Sequence, residues 1–186
     1  MKKIVYLLFA LLTTLSVNAQ KEHLKFMGIP LTGSITNFQS KLTAKGISYD
    51  KSASANSKAG VRCFKGLFSG EKAFIYVYYN EKTKIVYRAK AVIEYADEDV
   101  ALRKFSRFSS MLKEKYITGT ANDTEQDGYP ALSIRVLGND FESVLGYIYM
   151  YISKPSYSFL DERYLHIDYE DLDNTVSDID KNMDDL

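Results

Sequence analysis

The chain has 186 residues, 46% of them hydrophobic and 26% charged, and its 24 basic groups are balanced by 24 acidic ones. So even a total gives no broad attraction to nucleic acid, which depends on many Lys/Arg–phosphate contacts. The only cysteine, Cys63, has no partner for an internal disulfide, so packing alone must hold the fold.

Lys2 and Lys3 precede an apolar run from Ile4 to Leu15, followed by Ser16-Val17-Asn18-Ala19. A basic start, a short apolar core and small residues at the −3 and −1 positions describe a secretory signal peptide, residues 1–19, cleaved after Ala19. The apolar run is about a dozen residues against roughly 20 for a spanning helix, so no stable membrane insertion is expected. The expected product is a periplasmic or secreted protein whose residues 20–186 form a single domain. Loss of the leader leaves 22 basic and 24 acidic residues, a net charge of −2, and residues 161–186 carry 10 of the acidic groups with only 2 basic ones.

Ser34 is placed to cap a helix, since its hydroxyl can accept an orphan N–H of the first turn. Ile35, Phe38 and Leu42 then mark one apolar face. Gly46 stops the helix, and Ile47 can fold back on Leu42. A polar segment follows, then three strand-like runs at 61–68, 73–79 and 85–95, with short polar joins that suit an antiparallel meander. A second helix is expected over 97–116, its acidic start favoured by the helix dipole and its stripe formed by Ala101, Phe105, Phe108 and Leu112. The segment ITGTANDTEQDG reads as a loop. Three more strands are expected at 131–137, 143–153 and 163–170. A closing helix over 174–186, capped by Asn174, carries Val176, Ile179, Met183 and Leu186 on one side. The expected class is α+β: two helix–three-strand repeats, about 34–95 and 97–171, forming an antiparallel sheet with helices on one face, plus the short C-terminal helix.

FMGIPLTGSITNFQSKLTAKGI, the GLFSG meander and the helix with LKEKY resemble a family of small uncharacterised secreted proteins of Gram-negative bacteria. The likeness spans most of residues 24–171 and implies a β-lactamase-inhibitor-protein-like helix–strand repeat fold. It brings no catalytic residues with it, and the fold alone does not imply inhibition of a β-lactamase. The chain departs from the pattern in having no tryptophan and in placing Ile117 after KY.

No nucleophile elbow, phosphate loop, HExxH or paired-cysteine motif is present, so no cofactor or metal is expected. Cys63 sits in a strand-like run and reads as a structural thiol. Only His23 and His166 offer an imidazole, and His23 falls in an N-terminal segment expected to be mobile. His166 alternates with Asp168 on one strand face, which leaves a small envelope hydrolase using His166 and nearby carboxylates as an alternative. Asp123, Glu125, Asp127 and Gly128 imitate the opening of a calcium loop, but its twelfth position is Ile134 where a bidentate Glu belongs, so this stretch reads as an ordinary acidic loop.

Sorting the strands by alternation gives the best candidate surface. Ile75, Val77, Ala89, Ala91, Ile93, Leu132, Ile134, Val136, Val144, Ile148, Met150, Ile152, Leu165 and Ile167 take the helix-covered face. The other face receives Tyr76, Tyr78, Arg88, Lys90, Arg135, Tyr147, Tyr149, Tyr151, Tyr164 and His166. Tyrosine and arginine concentrate binding energy at interfaces, although tyrosines also serve as cross-strand pairs on a solvated sheet. The expected function is a binding or interaction module that uses this face to hold an unidentified protein or envelope ligand. A structural or assembly factor of the envelope is the further alternative.

Overall fold

Helix α1 (Ile35–Ala44) forms as its sequence dictates. The Ser34 hydroxyl accepts the N–H of Asn37 at 3.3 Å, and Ile35, Phe38 and Leu42 turn inward. The N–H of Ile47 donates back to Leu42 at 3.1 Å, and both side chains are buried. In this computed structural model residues 21–155 and 162–175 are described; the predicted signal segment and residues 176–186 of the predicted closing helix lie outside them.

Ahead of α1 lies a small hairpin of β1 (Lys25–Phe26) and β2 (Ile29–Pro30). After it come β3 (Ser48–Tyr49), α2 (Lys51–Ala55), β4 (Val61–Phe68), β5 (Glu71–Tyr79) and β6 (Val86–Tyr95). Helix α3 (Glu98–Lys115) leads into β7 (Thr120–Gln126), β8 (Tyr129–Leu137), β9 (Val144–Ser153) and β10 (Arg163–Asp171). The protein is therefore α+β, with one antiparallel sheet of eight strands in the order β3-β4-β5-β6-β10-β9-β8-β7. Each half is a meander that starts at an outer edge and works inward, and the halves meet at β6 and β10. Among the described residues no helix is long and apolar enough to cross a membrane.

Six of these strands match the sequence expectation, and two correct it. β3 and α2 occupy the stretch taken as polar linker, where Asp50 caps α2 by accepting the N–H of Ala53 at 2.9 Å. The expected loop at 120–126 is β7, paired along its length with β8 from Thr120↔Arg135 to Gln126↔Tyr129. Its turn, Asp127-Gly128, has φ of 53° and 79°, and the β4–β5 turn, Ser69-Gly70, has 49° and 87°. Two consecutive positive-φ residues form the type I′ turn whose twist matches that of the flanking strands, and glycine takes the second position without a Cβ penalty. DTEQDG is thus a hairpin rather than an ion loop, with Asp123 engaged by Lys113 of α3 at 2.7 Å. Among the described residues no group of three His, Cys, Asp or Glu side chains is placed to hold a metal ion.

α1 and α3 pack on one face, where Phe105, Phe108 and Leu112 of α3 join Ile75, Ile93, Leu132, Ile134, Ile148 and Ile167 in a single apolar core. Each such side chain, fully buried, contributes about 1.5–3 kcal/mol. Phe68 links Phe26 at 5.4 Å to Phe108 at 6.2 Å, so the β1–β2 hairpin is stapled to the sheet and to α3 through aromatic rings. Arg163, 3% exposed, donates to the Tyr129 hydroxyl at 2.9 Å and pairs with Glu98, tying the start of α3 to β8 and β10. α2 departs from the one-face expectation. Its Ser54 and the following Ser57 contact Cys63, whose register partner is Tyr76, so α2 roofs the β4 end of the opposite face. Cys63 is 3% exposed, with its Sγ 3.0 Å from the Ser57 hydroxyl.

The N-terminal segment is tied down, contrary to expectation. Asp171, 0% exposed, accepts the N–H of Leu24 at 2.9 Å, and both its oxygens lie 3.2 Å from His23 Nδ1. It also accepts the N–H of Asn174 at 3.1 Å and so caps the helical turn at residues 172–175. Asp171, rather than Asn174, is the cap, and the Asn174 amide instead donates to the Leu31 carbonyl at 2.7 Å. Burial pushes the Asp171 carboxyl pKa upward, against the opposing pull of these N–H groups. Asp171→Ala is expected to cost about 1–3 kcal/mol, because buried donors lose their acceptor. The loss reads as a lower urea midpoint at unchanged slope. Asp173→Ala, which removes only a surface pair with Lys21, should change stability by less than about 0.5 kcal/mol.

Candidate functional site

All the residues assigned by alternation to the polar face do lie on the side opposite α1 and α3, which α2 covers at its β4 end, because register carries the pattern from strand to strand. One row across the sheet reads Tyr76, Lys90, Asp168, Tyr149, Ser133. The next reads Tyr78, Arg88, Glu170, Tyr147, Arg135. On the other side of the first row, His166 stands between Val92 and Tyr151, and Tyr164 stands between Glu94 and Ser153.

The centre of this face is a packed polar layer. Arg88 grips Asp168 with two hydrogen bonds, Nε to Oδ1 at 2.9 Å and a second from its terminal nitrogen to Oδ2. Asp168 is 2% exposed. This bidentate hydrogen bonding raises the Arg88 pKa above its already high value. The Arg88 guanidinium lies 4.9 Å from the centre of the Tyr78 ring, and the Lys90 ammonium lies 5.7 Å from that of Tyr76. Burial lowers the Lys90 pKa, with Asp168 opposing. Burial likewise raises the hydroxyl pKa of Tyr76, Tyr78, Tyr149, Tyr151 and Tyr164, which keeps those hydroxyls protonated as donors.

His166 is stacked on Tyr151, ring centres 4.5 Å apart and planes 9° apart, and its Nε2 is 2.8 Å from the Ser153 hydroxyl. Burial, reinforced by the Lys90 charge and opposed by Asp168, lowers its pKa from 6.5 to about 4. The ring is therefore neutral near neutral pH. Its Nδ1 is buried with no hydrogen-bond partner. A neutral imidazole carries one N–H, and an unmatched acceptor costs less than an unmatched donor, so the proton belongs on Nε2, donated to Ser153. In that state the ring is no base toward Ser153. A hydrolytic triad also needs a carboxylate on the other ring nitrogen, and Asp168 is occupied by Arg88.

The face is not uniformly accessible. Tyr149 is 39% exposed and Arg135 is exposed, whereas Tyr76, Tyr78, Arg88, Tyr147, Tyr151, Tyr164 and His166 are half-buried. Sequence reasoning missed Asp168 as the anchor of Arg88 and Ser153 as the partner of His166. Asp168 shares its parity with His166 and was within reach of alternation. Ser153 is a register neighbour on another strand, and nothing in the local sequence announces that. Phe74, 46% exposed, and Leu67, 57% exposed, add an apolar corner on β4 and β5, beside a cavity of about 670 Å³ that also touches Lys65, Lys72 and Glu94.

Compared with protein-family models, curated proteins and solved structures, the chain finds no match in any of the three. The functional reading therefore rests on the geometry of this face.

The depressed His166 pKa gives a signed expectation. A folded-state pKa of about 4 against an ordinary 6.5 means the unfolded chain binds more protons between those values. The stabilisation is complete above 6.5 and is lost as pH falls toward 4. The wild-type Tm should be lower at about pH 5 than at about pH 7, and His166→Gln should show a smaller difference. Asp171, with its raised pKa, works in the opposite sense in both proteins, so the comparison isolates His166.

Proposed function

We propose that this protein is a secreted or periplasmic binding module that holds its partner on the sheet face opposite α1 and α3 and has no catalytic role of its own. The observation that carries this reading is the pre-organised polar layer. Arg88 locked on Asp168, Tyr78 beside Arg88, and Tyr151 stacked on His166 hold broad rings and donors in place before any partner arrives. Pre-organisation lowers the entropy cost of binding. The leader pattern of residues 1–19 supports the envelope address. The likeness to secreted helix–strand repeat proteins agrees with it. We read the two halves as a duplicated helix-and-meander unit, which the mirrored strand order favours.

A small hydrolase using His166 is the rival. Its support is the Ser153–His166 contact, against which stand the unpartnered Nδ1 and the engagement of Asp168 by Arg88. Turnover of an ester or glycoside panel that disappears in His166→Ala would overturn the binding reading. An assembly role in the envelope would instead show as co-purification with bulk envelope components.

The direct test is affinity capture from envelope extracts with the purified protein as bait. Tyr149→Ala and Arg135→Ala should each weaken capture by about thirtyfold or more, the loss of a binding hot spot of about 2 kcal/mol. Both side chains are exposed, so stability should stay within about 0.5 kcal/mol of wild type. Tyr151→Ala serves as the contrast and should lower stability, because it uncovers His166.

A further inference from the structure

The two sides of the open face differ in chemistry. Toward β5, β6 and β10 the cations are already engaged, Arg88 with Asp168 and Lys90 beside the Tyr76 ring, and the row continues with the carboxylate of Glu170. Toward β7, β8 and β9 the same face carries Thr120 and Asn122, then Ser133 and Arg135, then Tyr147 and Tyr149. This is a sheet of hydroxyls, one amide, two phenol rings and one guanidinium. The rings of Tyr147 and Tyr149 lie 6.1 Å apart with planes 23° from parallel, forming one aromatic step along β9. Three strands at roughly 4.8 Å spacing make the platform roughly 10 Å wide.

Arg135 forms none of the ion pairs seen among the described residues. In its row Tyr147 separates it from Glu170, and on the other side its neighbour is Thr120. Asp123 and Glu125 of β7 alternate onto the other face, where Lys113 of α3 binds Asp123. An exposed guanidinium without a carboxylate is a ready bidentate site for one.

The apolar area of these six residues is confined to the two phenol rings, small beside the apolar centre of a protein interface, and hydroxyl, amide and guanidinium groups surround it. A sugar ring has different needs: an apolar CH face to lie on a phenol ring, and hydroxyls that match Asn, Ser and Thr donors and acceptors. We infer that the β7–β9 part of the open face binds an acidic polysaccharide, with its rings on Tyr147 and Tyr149 and a uronate carboxylate on Arg135. This rests on the proposed binding role of the face and names its ligand class.

The test is native affinity electrophoresis through gels containing polygalacturonate, alginate or neutral dextran. The mature chain has a net charge of −2 and gains nothing from bulk attraction to a polyanion, so retardation reports a specific site. Polygalacturonate or alginate should retard the wild type, and dextran should not. Tyr149→Ala should abolish the retardation, Arg135→Gln should weaken it at least tenfold, and Lys113→Gln, on the other face, should leave it unchanged. If Tyr149→Ala fails to fold, Asn122→Ala on fully exposed β7 takes its place and should weaken retardation. No retardation by either polyuronate, or retardation unchanged in these variants, overturns the inference. Equal retardation by dextran overturns its acidic part. Capture of a protein through Tyr149, with no polyuronate binding, overturns the ligand class while leaving the binding role of the face intact.

Discussion

The whole architecture depends on one long-range pairing, that of β6 with β10. Eight residue pairs, from Arg163↔Tyr95 to Glu170↔Arg88, join two meanders that are otherwise separate in sequence. Remove that seam and each half presents a bare inner strand whose backbone donors and acceptors have lost their partners. The seam is reinforced on both faces. Below it, Ala89, Ala91 and Ile93 meet Leu165, Ile167 and Tyr169 in the core. Above it, Arg88 reaches across to Asp168. A bidentate pair whose carboxylate is 2% exposed is costly to leave half-made, so it favours one register over slips of the strand.

The sheet therefore has two unlike coverings. Under α1 and α3 the packing is apolar and closed. On the other face, beyond the β4 end that α2 roofs, a layer of tyrosine, arginine, lysine and histidine covers the strands, with Arg88 on Asp168, Lys90 beside Tyr76 and His166 on Tyr151. The polar layer contributes less to stability per residue than the core, because its groups were already well hydrated in the unfolded chain. What it contributes is position. Rings that rest on guanidinium, ammonium or imidazole neighbours are restricted before binding, which distinguishes this face from a loose fringe of solvated side chains.

Much of the fold was legible in the sequence because its signals are local and periodic. Ser34 and Asp97 announce their helices, Phe105, Phe108 and Leu112 announce which side of α3 is buried, and alternation sorted the two sheet faces except at Val144, where the register shift between Val136 and Leu137 brings Leu145 against the core instead. Failures came where a long-range contact overrules composition. TANDTEQ has no apolar alternation and looks like a loop, yet pairing with β8 and the Asp127-Gly128 turn make it a strand. His23 looks free at a chain end, yet it is held by a carboxylate at the far end of the sequence. The candidate face was legible as a set of residues. Its internal pairings were not, because alternation gives parity while register alone decides which side chains are neighbours.

The two outer edges of the sheet are finished differently, and this bears on how the protein behaves in company. One edge is blunt, a two-residue strand with α2 beside it. The other, β7, is seven residues long and exposed throughout, and it has neither proline nor lysine to discourage a visitor. Its guard is electrostatic: two copies meeting antiparallel along β7 bring Asp123 and Glu125 of each against the same residues of the other. A strand that brings no matching carboxylates meets no such guard, so β7 is the edge along which a foreign chain would extend this sheet.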